Sequence, residues 1–321
     1  MDSVCAAVLR AFDLKGKSAV RGKAGFVCAT DAGAVDVLRA GQPPERIWFR
    51  HAVQEHLHQS GFTGAGRLRL TAEGEPFTIT AGEIYVVQPH MPHREVRFTD
   101  AEEWRRTLRA VGRMHALLRD ADFPYAPVYD PPDADSLHRK HMDALNGYKK
   151  RILKKGKYSE FDVLFLRMAD EQAAALAAWH EAARSPLYDE QAAEARARRF
   201  VCHNLLKEEN LLAGGDEVYV RNFAECAPGH PADDLAALLR RYVKAVPDAP
   251  VSFAESLEIY SAENPLSDGM LAYLRAALAF PDKFLKLCAK YYDRNRTWTP
   301  GAFTARMEET ARGLRDLANY V

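Results

Sequence analysis

The stretch VCHNLLKEENLL, residues 201–212, decides how this chain folds, and EVYVRNF at residues 217–223 completes it. A short apolar run leads into His203, and Asn210 follows seven positions later. Gly214-Gly215 marks a tight turn before a run rich in β-branched and aromatic residues. The pattern predicts a strand, a loop, a short strand, a turn and a further strand.

The residues that lie well before this stretch predict a β-rich region. Short β-type runs are separated by glycines and by the turn sequence Asp31-Ala32-Gly33, which is typical of an antiparallel meander. Pro89 and Pro92 cannot continue a central ladder and predict a hinge after them. The predicted strands lie at 19–22, 25–30, 34–39, 67–70, 77–80 and 83–87, and the predicted helices at 1–17 and 44–60.

The rest of the chain has mostly helical periodicity. Thr99-Asp100-Ala101-Glu102 has the pattern of a capping box, and Thr299-Pro300 predicts the start of the last helix. The intervening helices are expected at 135–155, 159–183, 187–198, 231–245, 252–262, 267–279 and 281–293. We therefore predict an α+β chain with a β-rich lobe over residues 1–89 and a helical lobe over residues 90–321.

Composition places the chain among ordinary globular proteins. Of 321 residues, 47% are hydrophobic and 27% charged, and 44 Lys and Arg balance 44 Asp and Glu. Nucleic acid and anionic membrane are not expected partners, because their binding usually requires a basic surplus. The near-zero net charge leaves association between copies open. The five cysteines lack metal-ligand spacing and are expected to be reduced and buried.

The opening stretch resembles the catalytic loop of aminoglycoside and choline phosphotransferases, which share the protein-kinase-like fold. Their loop reads His, any residue, Asp, four residues and Asn, and a second Asp precedes an aromatic residue after the next strands. His203 and Asn210 match, and Asn210 would bind metal and nucleotide. Leu205 stands at the catalytic Asp, and Asn222 at the second metal-binding Asp.

These two departures argue against phosphoryl transfer. Leu205 has no lone pair and cannot act as the base, a role that contributes about 10²–10⁴-fold. Asn222 retains an oxygen but lacks the negative charge that Mg²⁺ prefers. The resemblance also implies a phosphate-contacting cation on the third strand, where Arg39 stands, with Glu55 as its helical partner. A solvated Arg39 and a surface Glu55 are the alternative.

The residues that match the loop also have plain structural interpretations. His203 is expected to be a buried residue that hydrogen-bonds to backbone. Asp234 resembles the helix-start Asp that braces such a loop, and an ordinary helix-start acid is the alternative. Three acidic residues could replace the missing carboxylates only by lying within hydrogen-bond reach of a substrate; these are Glu208, Glu209 and Glu225.

Longer strings over nearly the whole chain resemble the CotS family of spore coat proteins, which are kinase-fold proteins of endospore-forming bacteria. The strings are Arg94-Glu95, KKRILKK at 149–155, SEFD at 159–162, Asp234-Leu235, LRRY at 239–242, FPDKF at 280–284 and KYY at 290–292 through Trp298. The resemblance implies synthesis in the mother-cell cytoplasm, deposition in the spore coat and other coat proteins as partners.

The sequence leaves three functions to be separated. The first is a catalytically inactive, kinase-like coat component that needs no cofactor. The second is an active small-molecule phosphotransferase that uses displaced acids. The third binds ATP and Mg²⁺ weakly without turnover. Leu205 and Asn222 favour the first.

Overall fold

A five-stranded antiparallel sheet forms the amino-terminal part of the structure, a computed structural model that describes residues 3–22, 25–129, 133–293 and 298–321. The strand order is β1-β2-β3-β5-β4. This confirms the predicted meander. The strands are β1 (Gly16–Arg21), β2 (Gly25–Thr30), β3 (Gly33–Arg39), β4 (Thr78–Thr80) and β5 (Glu83–Pro89).

Two helices cover opposite faces of this sheet. Val35 and Val37 of β3 pack with the first helix, α1 (Ser3–Ala11). Because side chains alternate along a strand, Leu38 points to the other face. There it packs beside Ile47 of the second helix, α2 (Pro44–Gln59). The register of β3 therefore decides which of its side chains face α2.

The strand predicted at residues 67–70 is wrong. The backbone N–H of Arg69 donates to the carbonyl of Val87, whereas that of Gly66 donates to the carbonyl of Val220. Because these two residues, three positions apart, bond to strands of different sheets, the segment forms no continuous ladder.

The organising stretch folds as its pattern predicts. Its strands β8 and β9 join β6, from earlier in the chain, in a three-stranded sheet of order β6-β8-β9, and its first strand, β7, pairs with β10. A 3-10 turn at Glu208–Asn210 separates the loop from the sheet. The strands are β6 (Arg94–Glu95), β7 (Val201–Cys202), β8 (Leu211–Gly214), β9 (Glu217–Val220) and β10 (Ala227–Pro228).

The predicted helices are confirmed within about two residues, except the first. That helix was predicted at 1–17, but its described part ends at Ala11, because the chain turns at Asp13 with a left-handed φ of 51°, and residues 16–17 belong to β1. One detail of capping is wrong, because Asp100 rather than Thr99 caps α3 by accepting from the N–H groups of Glu102 and Glu103. The helices are α3 (Ala101–Leu117), α4 (Ala134–Leu153), α5 (Glu160–Ala183), α6 (Pro186–Ala197), α7 (Pro231–Ala245), α8 (Phe253–Glu263), α9 (Asp268–Ala279), α10 (Asp282–Tyr292) and α11 (Pro300–Tyr320).

The chain divides into two compact units. The first comprises Met1–Tyr129, Ala197–Pro231 and Ile259–Asn264, and the second comprises Asp130–Arg196, Ala232–Glu258 and Pro265–Val321. The sheets and the organising stretch belong to the first unit. The lobe boundary between residues 89 and 90 stays a prediction.

Three of the longer sequence strings meet at one buried carboxylate of the second unit, Asp162. Lys155 Nζ lies 2.7 Å from Asp162 Oδ2, and the Tyr292 hydroxyl donates to Oδ1 at 3.0 Å. Ser159 completes a capping box with Asp162. Burial opposes ionisation, but the hydrogen bonds from Lys155 and Ser159 still lower the pKa of Asp162. These strings therefore have a structural role in anchoring α5.

None of the five cysteines forms a disulfide, and all five are buried, as expected. Within the described part of the chain, no helix has both the length and the apolar character needed to cross a membrane.

Candidate functional site

The loop site consists of residues 203–210 together with Asn222, and buried His203 fixes its backbone. The N–H of Leu205 donates to His203 Nδ1 at 3.2 Å, so the ring proton is on Nε2. Nε2 then donates to the carbonyl of Arg221 at 3.0 Å. The ring also packs edge-on against Phe223, with centroids 4.7 Å apart. His203 is thus a structural residue bonded to backbone, as predicted.

Asn210 acts on the same loop from its other end. Its side-chain amide donates to the carbonyl of Leu205 at 2.9 Å. Its own carbonyl accepts from the N–H of Arg221 at 2.9 Å. The catalytic position, Leu205, is thereby held by its N–H and its carbonyl, while its half-buried side chain supplies no acid or base. The framework of a catalytic loop is formed without the residue that would do the chemistry.

Asn222 lies at the start of the turn after β9, with φ 63° and ψ 60°. Asn is one of the few residues that adopt this left-handed conformation readily. Its side-chain amide is 3.4 Å from Oδ1 of Asn210. Two neutral amides therefore face each other where an active enzyme of this fold would place metal-binding oxygens.

The structure gives Arg39 and Glu55 different partners. Arg39 Nη2 lies 2.5 Å from Glu83 Oε1, whereas both carboxylate oxygens of Glu55 accept from Arg67, at 2.8 and 2.5 Å. The guanidinium of Arg67 lowers the pKa of the Glu55 carboxyl. The Arg39–Glu55 pair offered by the sequence is not formed, because Arg39 shares the sheet face of Val37, opposite α2. A cofactor-binding role for these residues stays a prediction.

Two β3 side chains, Leu38 and Asp36, face α2, and the polar one, Asp36, is a residue that the sequence did not single out. Its Oδ1 lies 2.7 Å from His90 Nδ1, and its Oδ2 accepts from the Gln88 amide at 3.4 Å. The Gln88 oxygen in turn accepts from Arg50 Nη2 of α2 at 3.2 Å. We call this connected set, Asp36, Gln88, Arg50 and His90, the Asp36 network.

In the Asp36 network, the strand and the helix carry charges opposite to those that they carry in active kinases. There, a Lys on the third strand contacts the nucleotide phosphates and pairs with a Glu on the following helix. Here the strand carries the carboxylate, and the helix carries the cation Arg50. Arg50 is only 3% exposed, and burial lowers its pKa to about 10. The alternation of Val35 and Val37 was the sequence signal that could have identified Asp36.

Helix α2 is also bound to the turn after Asn222. Arg46 Nη2 donates to the carbonyl of Cys226 at 2.7 Å, and the Gln42 amide donates to the carbonyl of Ala224. In this unit, α2, the turn and the loop site are thus joined by side-chain to backbone bonds. Such contacts stabilise one arrangement of the loop.

The structure gives the surroundings of two of the three candidates for a displaced acid. Glu209 lies 2.5 Å from Lys207, and Glu225 is exposed at the surface. Among residues 3–22, 25–129, 133–293 and 298–321, no three His, Cys, Asp or Glu side chains are grouped so that they could hold a metal ion. Asp234 lies buried in the first turn of α7, in the second unit. Its bracing of the loop stays a prediction, as do displaced acids at Glu208, Glu209 and Glu225.

Comparison with protein families identifies the chain. The family model described as spore coat putative kinase YutH matches residues 41–320. The chain belongs to this family. Family membership agrees with the CotS-like resemblance of the longer strings. A comparison with curated proteins returned no significant match.

Solved structures show that the family member has the phosphotransferase fold. An aminoglycoside phosphotransferase from Alicyclobacillus acidocaldarius is similar with a TM-score of 0.85 and 18% identity, over 98% of this chain and 93% of that one. A spectinomycin phosphotransferase has a TM-score of 0.62, with 12% identity over 94% and 95% of the two chains. A microcompartment-associated aminopropanol kinase has a TM-score of 0.59, with 13% identity over 99% and 97%. At these identities the similarity establishes the fold alone.

Proposed function

We propose that this protein is a catalytically inactive, kinase-like component of the spore coat that acts by binding other coat proteins. The observation that carries the proposal is the loop site itself. Leu205 supplies no base, and Asn210 and Asn222 present two amides to each other at 3.4 Å. Phosphoryl transfer relies on a residue that positions the attacking hydroxyl and on metal ions that stabilise the developing charge. The residues at both of these positions, Leu205 and Asn222, lack the carboxylate that the step uses.

The Asp36 network supports the same conclusion independently. A carboxylate facing α2 would lie where enzymes of this fold hold the phosphate-contacting Lys. Two like charges about 4 Å apart near a protein surface repel by about 4 kcal/mol, which exceeds the typical gain of about 1 kcal/mol from a neutral hydrogen bond. We therefore propose that the protein requires no cofactor and that ATP with Mg²⁺ binds weakly.

Localisation and partners follow from the family. We propose synthesis in the mother-cell cytoplasm and deposition in the coat, where other coat proteins are the partners. The second unit supports a scaffold role, because its aromatic core is densely packed. Phe161 stacks on Tyr291 with ring centroids 3.9 Å apart, and Phe165 stacks on Phe284 at 5.9 Å. Rigid packing of this kind suits a binding surface.

The proposal is tested by allele replacement in an endospore-forming host that carries this gene. Asn222→Gly removes the amide, while Gly accepts the positive φ at this position. We expect spores with normal coat composition from this allele and an altered coat from the deletion strain. If Asn222→Gly and the deletion produce the same coat defect while the variant protein accumulates normally, the proposal is wrong.

A further inference from the structure

The second unit contains a cavity of about 670 Å³, here called the basic cavity, between α7, α10 and α11. Seven cationic side chains and three carboxylates line it, a surplus of four positive charges in a chain with no formal net charge. Its floor is apolar and includes Leu278, Leu287 and Leu317, each at least nine-tenths buried. Three sequence strings that carry the family resemblance contribute lining residues, but the loop site makes no use of them.

Two of the three carboxylates are already paired. Glu309 lies 2.8 Å from Lys244, and Asp282 lies 2.9 Å from Lys286. Within the residues that the structure describes, no carboxylate forms an ion pair with the remaining lining cations, which are Arg240, Lys283, Lys290, Arg306 and Arg312. Asp282 attracts Arg240, and Glu309 attracts Lys283, but the lining cations still outnumber the lining carboxylates by four.

An indole ring holds two of these cations at one end of the cavity. Lys290 Nζ lies 3.4 Å, and Arg306 Cζ 4.3 Å, from the centroid of the Trp298 ring. Cation–π attraction fixes both groups. An anion bound beside them would offset their mutual repulsion. The arrangement is thus preorganised for a carboxylate or another oxyanion.

The other end carries a second concentration of positive charge. Arg240 donates to the carbonyls of Ala277 and Phe280, which anchors it at the rim. Partial desolvation beside the cavity, then Lys244, Arg241 and Arg240, lower the pKa of Lys283, although the residue itself is exposed. A lysine pKa that is lowered by neighbouring cations indicates that positive charge exceeds negative charge around that lysine.

We propose that the basic cavity binds an acidic peptide segment whose carboxylates meet the cations at the two ends and whose large apolar side chain enters the floor. The volume lies within the range of specific ligand pockets and accommodates only a few residues. Cations on three helices around an apolar floor match acidic side chains that flank an aromatic one. The inference does not depend on whether the loop site turns over ATP.

The test uses a fluorescein-labelled peptide of alternating Glu and Phe, with Gln–Phe and Glu–Gly peptides as comparisons, and follows binding by anisotropy. We expect the Glu–Phe peptide to bind at least about tenfold more tightly than either comparison, with affinity that falls as salt rises. Lys283→Glu with Arg312→Glu should weaken binding by about tenfold or more. The matched charge reversal Lys154→Glu with Lys157→Glu, at exposed positions outside the cavity, should leave binding unchanged.

All four substituted residues are exposed, so both double variants are expected to fold, and unchanged circular dichroism and melting temperature would verify this. Equal affinity for the Glu–Phe and Gln–Phe peptides would overturn the proposal. Equal weakening by the two double variants would overturn it as well. A thymidine oligonucleotide that displaces the peptide and binds more tightly would assign the cavity to nucleic acid instead.

Discussion

Asn210 and Asn222 face each other through side-chain amides 3.4 Å apart, at the two positions that hold metal in active phosphotransferases. Two neutral amides can satisfy each other, whereas the Asn and Asp at these positions in active enzymes would hold a cation between them. In the structure the two positions share a side-chain hydrogen bond within the chain. Its consequences are open to measurement.

Restoring charge at this contact should restore metal binding. Asn222→Asp keeps a residue that tolerates the left-handed backbone and adds a carboxylate beside Asn210. We expect Mn²⁺ affinity, measured by electron paramagnetic resonance of free Mn²⁺, to rise about tenfold or more over the wild type. Glu217→Gln, an exposed residue of β9, serves as the control. An unchanged Mn²⁺ affinity in Asn222→Asp would mean that these positions do not form a latent metal site.

Removing the imidazole of His203 should destabilise the first unit. His203→Ala leaves the carbonyl of Arg221 and the N–H of Leu205 without their ring partner, in a place where the ring is fully buried. We expect a loss of about 2–4 kcal/mol in the free energy of unfolding. Urea denaturation measures it, and exposed Glu225→Gln should stay within about 0.5 kcal/mol of the wild type. A similar small change in His203→Ala would contradict the structural role.

The carboxylate of Asp36 is predicted to oppose nucleotide binding. Asp36→Asn removes its negative charge with little change of shape, so ATP should raise the melting temperature of this variant more than that of the wild type. Glu83→Gln is the matched control, because Glu83 pairs with Arg39 on the other face of the sheet. Equal shifts with ATP in the wild type and both variants would show that Asp36 does not face bound phosphates.

The buried side chain of His230 should make the free energy of unfolding depend on pH in the acidic range. Burial, with a smaller effect of His115, lowers its pKa from 6.5 to about 4. Between pH 6.5 and about pH 4 the unfolded state binds a proton at this histidine that the folded state does not. The free energy of unfolding is therefore unaffected by this group above pH 6.5 and decreases as the pH falls below it. We expect this group to cost about 3 kcal/mol by pH 4. His230→Gln should flatten the pH dependence of urea denaturation in that window, and an unchanged slope would contradict it.

The fold was predictable because its signals are local. The turn at residues 31–33, the helix start at Thr299-Pro300, and the spacing of His203 and Asn210 each depend on a few adjacent residues. The same is true of Leu205 and Asn222, whose positions follow from counting along the loop. Family membership was predictable from the longer strings, which the structure explains in part through the contacts of Asp162.

The rest depended on contacts that no short stretch contains. Arg39 was chosen for its charge at the end of a strand, but strand alternation places Asp36 rather than Arg39 toward α2. The partners of Arg39 and Glu55 were missed because Glu83 and Arg67 come from later segments. The basic cavity combines residues from α7, α10 and α11, which are far apart in the sequence. Its positive surplus is not visible in the composition, because acidic residues elsewhere bring the net charge of the chain to zero.

The central claim is that the loop site does not transfer phosphate, and ATP turnover tests it most directly. Purified protein is incubated with labelled ATP and Mg²⁺, alone and with amino alcohols, aminoglycosides and protein, beside Asn222→Gly and an active aminoglycoside phosphotransferase. We predict no phosphate release or transfer above that of Asn222→Gly. Mg²⁺-dependent turnover in the wild type that disappears in Asn222→Gly would contradict the account.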